Sequence, residues 1–397
     1  MTDLLENFSY GLLSAILFGI AICIQLFILL FRFLKTSGHT GDNKEAIQPV
    51  SVVIAARNEE KNLLENVPKI MAQRHPSFEV IIVDNGSTDG TYERAQRVGL
   101  QAALQPARGR ARALNAGIRQ ARGVYILTTD LSCRAAANWI ESIVDTFDAF
   151  PSAACVAGEI KLLETGDNAA LAFQRRTDYM SPFHALQRNN LPYMPFADGA
   201  NASFRRSLFD EIGGFEDDFT KAADVEICYR ILVLTRHTLV FNRHAVVWEP
   251  GEPDLKALLR QRFKMGLGTL LLQQKYPALF AAAAVDVTLK RRYWKAREQV
   301  CELARLTLLN VCALVGRRRE EAQDASIRFL MSIAQRLGAA VGRRRIGRDV
   351  ARPSPVAPAA LDDFLAATWQ LESRVVVAQI PRDPPPAAAF IAVSATA

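Results

Sequence analysis

The hydrophobic pattern changes character three times along the chain. Residues 7–31 (NFSYGLLSAILFGIAICIQLFILLF) carry no charge and are apolar nearly throughout. Residues 36–48 (TSGHTGDNKEAIQ) are polar, as a short linker would be. From residue 50 short apolar runs alternate with stretches of helical spacing. VSVVIAA (50–56) is β-branched and almost continuously apolar, which predicts a strand buried on both faces. Leu63, Leu64, Val67, Ile70 and Met71 then recur at helical spacing. FEVIIV (78–83) predicts a second strand, DNGSTDG a turn and TYERAQRVG a helix. LQAALQ (100–105) fits a short strand, RARALNAGIRQARG (110–123) a helix ended by Gly123, and VYILTT (124–129) another strand. Strands alternating with helices imply an α/β fold with parallel strands and right-handed crossovers.

In open parallel sheets, ligands bind outside the carboxyl ends of the strands. Three successive strand ends here carry Arg57-Asn58-Glu59, Asp84-Asn85-Gly86 and Asp130-Leu131-Ser132. Each alone would suit a turn. Together they place polar and acidic groups on one rim and predict a pocket there. Two nucleotide-binding alternatives are disfavoured, because neither G-x-G-x-x-G nor G-x-x-x-x-G-K-[ST] follows a strand. DNGSTDG does not match an EF-hand loop either.

The uncharged run at 7–31 spans roughly 37 Å as a helix, enough to cross a bilayer with some tilt. It starts after Asp3 and Glu6 and ends on Phe-Arg-Phe-Leu-Lys, unlike a cleaved signal peptide, so residues 1–35 are expected to be a transmembrane anchor. Arg32, Lys35 and Lys44 follow it, which predicts a single-pass protein of the cell membrane with the remainder cytoplasmic. The six cysteines are scattered without a C-x-x-C pair and read as reduced thiols, not as a zinc site or a disulfide frame. The formal charge is +7, with arginine clusters at 316–319 and 342–348. A nucleic-acid partner is disfavoured by the anchor and by the lack of basic–aromatic interleaving.

SVVIAARNEEKNL, EVIIVDNGSTDGT and GRARALNAGIRQARGVYILTTDLSC, followed by LPYMPFADGANASFRRSLFDEIGGFED, AADVEICYR and AVVWEP, resemble the family-two glycosyltransferases of GT-A fold, in order and over about residues 49–268. The resemblance implies an open, mostly parallel sheet flanked by helices, a nucleotide-diphosphate-sugar donor and inversion at the anomeric carbon. By position, Ala56, Arg57 and Glu59 match the stretch that lines the nucleoside, and Asp84 the carboxylate that accepts from the base. Asp130 matches the first acid of D-x-D, facing the ribose and a metal-bound diphosphate. Asp224 matches the general base. The loop Asp198-Gly199-Ala200-Asn201, before a helix expected over SFRRSLFDEIGG, is the candidate for acceptor and sugar contacts, through Gly199 and Asn201. Arg110 and Arg112 open a helix; a phosphate contact and a plain exposed face are both open to them.

Several positions depart from that pattern. Ala55 replaces a frequent Pro, and Ser132 replaces the second acid of D-x-D and removes a strong metal ligand. Glu249 stands where relatives often place a metal-binding His, and is a further candidate ligand for a hard cation. A divalent metal, Mg²⁺ or Mn²⁺, is therefore expected, at a weakened position. QRFKMG (261–266) is only loosely like the Q-x-x-R-W of processive synthases, so addition of one sugar is expected. The acceptor implied is a membrane-linked glycan or lipid, in surface polysaccharide or glycolipid synthesis. The other reading, a nucleotide-sugar-binding protein of the same fold without turnover, is favoured by Ser132 and Glu249 and opposed by Asp84, Asp130 and Asp224. Beyond the resemblance, residues 269–350 form a basic helical region. Ile327, Leu330, Met331, Ala334, Leu337 and Val341 recur there at helical spacing, fit either to pack on the catalytic domain or to lie on a membrane. Residues 351–397 read as a Pro/Ala-rich tail, irregular over 351–360 and 381–397.

Overall fold

The computed structural model of the chain describes residues 47–163, 166–186, 192–285, 304, 306–313, 318–346, 353–366 and 374–378. The expected anchor at 1–35 lies outside them. Among the described residues no helix is long and apolar enough to cross a membrane.

Strand β1 (Val50–Ala56) pairs in parallel with β2 (Phe78–Asp84) and with β4 (Tyr125–Thr129), and β2 pairs in parallel with β3 (Gln101–Leu104). Helices α1 (Glu60–Met71), α2 (Thr91–Arg97) and α3 (Arg110–Gln120) make the crossovers. β5 (Arg134–Ala135) and α4 (Trp139–Ala149) follow, then the long strand β6 (Ala153–Leu163). Next come α5 (Ala169–Arg176), the single turn α6 (Phe183–Leu186), β7 (Asn201–Arg205) and α7 (Arg206–Ile212). α8 (Ala223–Leu234) leads to β8 (Thr238–Pro250). The strand order is β3-β2-β1-β4-β7-β6-β8-β5, with β9 (Val375–Ala378) added in parallel to β8.

The sheet is therefore mixed, not simply parallel. β7 runs antiparallel to both β4 and β6, and β5 antiparallel to β8. This corrects the expected helix over residues 203–214: Asn201–Arg205 is a strand, and the helix is confined to Arg206–Ile212. Its residues Ala202, Ser203 and Phe204 are buried in the middle of the sheet, where ladder partners on both sides override local helix propensity. α3 also ends three residues short of Gly123, because Ala121 is already extended.

Alternation along the strands divides the core into two layers. Val53, Ile81, Val83 and Ile126 pack with Leu114 and Ile118 of α3 and with Ile227 of α8. Val52, Ile54, Val80 and Ile82 pack with Leu63, Val67 and Ile70 of α1 and with Trp139, Ile143 and Phe147 of α4. Burial on both faces is what the continuous apolar runs predicted. Each such side chain contributes about 1.5–3 kcal/mol by leaving water. Leu64 and Met71, on the predicted apolar face of α1, are exposed instead.

Three helices lie beyond the sheet: α9 (Leu255–Lys275), α10 (Pro277–Val285) and α11 (Arg319–Arg345). α9 runs through residue 268, where the resemblance ends. α11 packs along α9, and Ile327 and Met331 bury with Phe173 of α5 and Leu258 of α9. The tail holds more order than its composition suggests: α12 (Pro358–Ala366) puts Leu361 and Phe364 into the core layer of α8, and β9 extends the sheet.

Candidate active site

The parallel register puts Ala56 beside Asp84, so the ends of β1 and β2 open at one level. Their loops are laced together. Asn58, in the left-handed region at φ 57°, accepts from the Thr88 N–H at 2.8 Å, and its own N–H donates to Ser87 Oγ at 3.0 Å. The Glu59 N–H donates to Thr91 Oγ1 at 2.9 Å. Asp84 is 3% exposed. Its Oδ1 accepts from the Gly86 and Ser87 N–H groups at 3.0 Å each, while Oδ2 is buried without a protein partner. A buried carboxylate oxygen without a donor is costly and marks a place for a ligand N–H. Arg57 is exposed at the rim, and Ala56 is buried at the strand end. Burial raises the Glu59 pKa, Asn62 opposes this with a hydrogen bond, and the Asp130 charge adds to it, so the ends of β1 and β4 feel one another.

Asn85 was not singled out by its sequence context. Its Oδ1 accepts from the Gly109 N–H at 2.8 Å and its amide donates to the Gln105 and Ala107 carbonyls. These bonds fix the entry to α3 and hence Arg110. The Arg110 guanidinium meets Asp130 Oδ1 at 2.6 Å and donates to the Gly199 carbonyl at 3.1 Å. A Cβ at position 199 would lie 2.3 Å from Arg110 Nη1, so only glycine admits the guanidinium there. Packing around Arg110 works against its charge, but Asp130, then Asp224 and Asp198, hold it more firmly protonated. Of the two openings left for Arg110, it takes the site. Arg112 takes the other, lying on the surface near Asp217 and Asp218 at 3.7 and 3.9 Å.

Gly199 is a junction. Its carbonyl also accepts from Thr128 Oγ1 at 3.0 Å, and its N–H donates to Asp224 Oδ2 at 3.0 Å. Asp224 stands in the first turn of α8, two residues after Ala222, which adopts φ 60° at the N-cap. Asp198, quoted in the loop but given no role from sequence, accepts from the Ala200 N–H at 2.9 Å. Burial and then the Asp224 charge push its pKa up to about 6.

Asn201 is not a loop contact. It is the first residue of β7, is 1% exposed, and its side chain is fully engaged. Its Oδ1 accepts from Trp139 Nε1 at 2.8 Å and its amide donates to the Glu159 and Ala245 carbonyls at 2.9 and 2.8 Å. It clasps three strands and a helix below the rim and is removed from the contact set. Glu226, two residues past Asp224, is likewise structural: fully buried, it takes Arg230 on both oxygens at 3.1 and 2.7 Å and also meets Lys275 and Tyr276.

Ser132 sits in the turn closed by the Cys133 N–H to the Asp130 carbonyl at 3.0 Å. Asn66 of α1 holds this turn by donating to the Leu131 carbonyl at 2.7 Å. Its signal in the sequence is a polar residue on the apolar face that carries Leu63, Val67 and Ile70. Glu249, near the end of β8, has its pKa pushed well up by burial and then by Asp198 and Asp130. Among the described residues no group of three or more His, Cys, Asp or Glu is poised to hold a metal ion. The set still fits a divalent ion that arrives with a diphosphate, since Mg²⁺ commonly uses one or two carboxylates plus substrate phosphates. Asp130 and Glu249 are the oxygen donors available, and a cation between them would favour ionised Glu249.

Beside Asp224 opens a cavity of about 670 Å³ lined by Tyr193, Asp198, Lys221, Gln261 and Lys264 among others. It has the size of a small-ligand site. Asp130, Arg110, Gly199 and Asp224 are linked contact by contact, and Asp224 lines this cavity.

Residues 51–213 match the family model described as glycosyl transferase family 2. The chain is 26% identical over 229 residues to a glycosyltransferase, AglE, of Haloferax volcanii, covering 56% of this chain and 73% of that one. It is 22% identical over 233 residues to the poly-beta-1,6-N-acetyl-D-glucosamine synthase of Staphylococcus aureus, covering 57% of this chain and 56% of the relative. The chain therefore spans only about half the length of that synthase. Among solved structures, a mannosyltransferase of Pyrobaculum calidifontis in complex with GDP-Man and Mn²⁺ superposes with a TM-score of 0.45 and 19% identity, over 89% of this chain and 91% of that one. Residues 51–213 thus match the glycosyl transferase family 2 model on the mixed sheet described above, and that match supports glycosyltransferase as the enzyme class.

Proposed function

We propose that the protein is an inverting glycosyltransferase that moves a sugar from a nucleotide-diphosphate-sugar to a membrane-linked glycan or lipid acceptor. The observation that carries this reading is the chain of contacts Asp130–Arg110–Gly199–Asp224, which sets a fixed cation between the expected donor acid and the expected base. The base of the nucleotide donates to Asp84 Oδ2, the buried oxygen left without a protein partner. Ala56, Arg57 and Glu59 border the nucleoside. The acceptor enters by the cavity at Asp224. Asp224 takes the proton of the acceptor hydroxyl as its oxygen attacks the anomeric carbon. The bond from that carbon to the phosphate oxygen breaks, and the electron pair leaves on the nucleoside diphosphate. Arg110 faces the charge that develops there. A divalent ion on Asp130 and Glu249 would add Lewis-acid stabilisation of the same leaving group.

The setting belongs to the same proposal. Residues 7–31 anchor the chain in the cell membrane, with the catalytic domain on the cytoplasmic side, and the product enters a surface polysaccharide or glycolipid. The uncharged run and the cations that follow it support this.

A panel of nucleotide-sugars, tested for binding and for hydrolysis with divalent metal, examines the reading. Binding together with slow release of sugar supports a transferase. Binding without release of sugar to water or to any membrane acceptor supports the second reading, a binding protein without turnover, which Ser132 and Glu249 favour. Failure of all nucleotide-sugars to bind overturns both.

A further inference from the structure

α11 is amphipathic on two sides, and only one of them is used by the fold. The used side is fixed by contact with α9. Ile327 and Met331 are buried, and a Cβ on Gly338 would fall 1.9 Å from the Phe263 carbonyl oxygen, so the two backbones touch. A neighbouring side, about a third of a turn away, carries Phe329, Ile333, Leu337 and Val341, four residues apart in turn, with Leu330 beside them. That spacing puts all five on one stripe. They are 38–55% exposed, large apolar side chains turned away from the domain. The helical stretch 306–313 continues the surface. Asn310 donates to Ser326 Oγ of α11 at 3.4 Å, and Leu308 and Val311 are 64% and 53% exposed.

Charge decides what covers this face. Residues 325–345 contain five arginines and no acid. Arg336, Arg343 and Arg344 are exposed. A second copy packed in parallel would set arginines against arginines, and Asp324, the acid of α11 nearest the stripe, is already held by Arg176. A bilayer bearing anionic lipid offers apolar chains to the stripe and negative headgroups to the arginines. We infer that the outer face of α11 is a peripheral docking surface for an anionic membrane, separate from any contact made by residues 7–31. In that pose α11 lies in the interface plane with Leu337 and Ile333 towards the acyl chains. The cavity at Asp224, which Gln335 of α11 helps to line, then sits about one helix diameter, ~10 Å, from the lipid.

The inference concerns lipid contact and is tested without any activity readout. Leu337→Trp is made in the full chain, with Val98→Trp, at the end of α2 before the edge strand β3 and 49% exposed, as reference. Each is compared with the parent in vesicles of phosphatidylcholine alone or mixed with phosphatidylglycerol, with brominated acyl chains as quencher. The expected result is added quenching at position 337 in the mixed vesicles, several-fold above that at 98, and a clear loss of it in neutral vesicles and in Arg336→Ser/Arg344→Ser. Should Leu337→Trp fold poorly, Ile333→Trp reads the same stripe. Equal quenching at 337 and 98 overturns the inference, as does quenching indifferent to lipid charge. A blue shift at 337 without lipid that grows with protein concentration assigns the face to a second copy. A shielded, unquenched tryptophan under every condition assigns it to another segment of this chain. Either outcome also overturns it.

Discussion

Arg110 Nη2 lies 2.6 Å from Asp130 Oδ1 and 3.1 Å from the carbonyl oxygen of Gly199, whose N–H is bound to Asp224. One guanidinium thus spans the proposed metal-binding acid and the loop that orients the proposed base. The neighbour that would normally strengthen a cation site here is Ser132, which is neutral. In the proposed reaction the tethered guanidinium keeps positive charge at the leaving group. Arg110→Gln should therefore weaken binding of a nucleoside diphosphate in chelator by about 10- to 100-fold, the scale of one or two charged hydrogen bonds. Binding of the nucleoside alone should change little. Calorimetry with both ligands checks this, and equal affinity of the variant and the parent for the diphosphate would remove Arg110 from the site.

Asp84 separates its two oxygens by role, since Oδ1 closes the turn and Oδ2 is left over. Asp84→Asn can retain an acceptor for Gly86 and Ser87 while presenting a donor where the ligand needs an acceptor. Nucleotide affinity should fall by roughly 1–3 kcal/mol with little change in melting temperature. A large loss of stability with unchanged affinity would make Asp84 a turn residue and nothing more.

Asp224 and Glu226 lie two residues apart and are predicted to fail in different ways. Asp224→Asn keeps the acceptor for the Gly199 N–H but cannot take a proton. It should lower turnover by about 100-fold or more, with donor affinity nearly unchanged. Glu226→Gln removes the buried charge that Arg230 and Lys275 share, leaving Arg230 the Ile212 and Gly214 carbonyls and Lys275 the Glu216 carboxylate, and should cost about 3–5 kcal/mol of stability. Single-turnover rates and denaturant unfolding of both variants check the contrast. Near-normal turnover in Asp224→Asn would mean that another group takes the proton.

What could be read from the sequence follows the range of the forces involved. The strand ends at Asp84 and Asp130 were legible because strand and loop are adjacent in the chain and the apolar runs end abruptly on them. Asn201 was misread. Nothing local in NASFR announces that β7 inserts antiparallel between β4 and β6, and that insertion alone buries the amide. Arg110 could not be assigned by spacing, because its partners come from β4 and from the loop before β7, 20 and 89 residues away. The Asp224 charge raises the cost of ionising Asp198 only once folding brings the two together. α11 had two open fates in the sequence, and the structure realises the packing one on one side of the helix and leaves the other side apolar and exposed.

Asp198 should make stability depend on pH. Its folded pKa, about 6, lies above the ordinary aspartate value, so the folded state holds the proton more tightly than the unfolded chain. This stabilising contribution is full below pH ~4, and it is lost as pH rises through about 6. Asp198→Asn, which keeps an acceptor for the Ala200 N–H, should remove that part of the slope. Denaturant unfolding at steps from pH 4.5 to 7.5 compares the two. Parallel pH profiles for parent and variant would show that Asp198 titrates normally.

Ser132 gives the sharpest test of how the cation is held. With one carboxylate already engaged by Arg110 and Glu249 pushed well up, the free protein should bind Mn²⁺ weakly. A nucleoside diphosphate supplies hard oxygens, so metal and nucleotide should each tighten the other by the same factor. Ser132→Asp restores a second acid next to Asp130 and gives Arg110 a competitor for it. The variant should bind Mn²⁺ at least 10-fold more tightly without nucleotide, and the coupling between metal and nucleotide should shrink, because less of the shell is left for phosphate to complete. Donor affinity in chelator should fall at the same time, since the added charge faces the diphosphate. Mn²⁺ titrations with and without nucleotide, in parent and variant, separate these effects. Tight metal binding to the nucleotide-free parent would mean that the site is complete with serine at 132. An unchanged Mn²⁺ affinity in Ser132→Asp would mean that the side chain at 132 only shapes the turn.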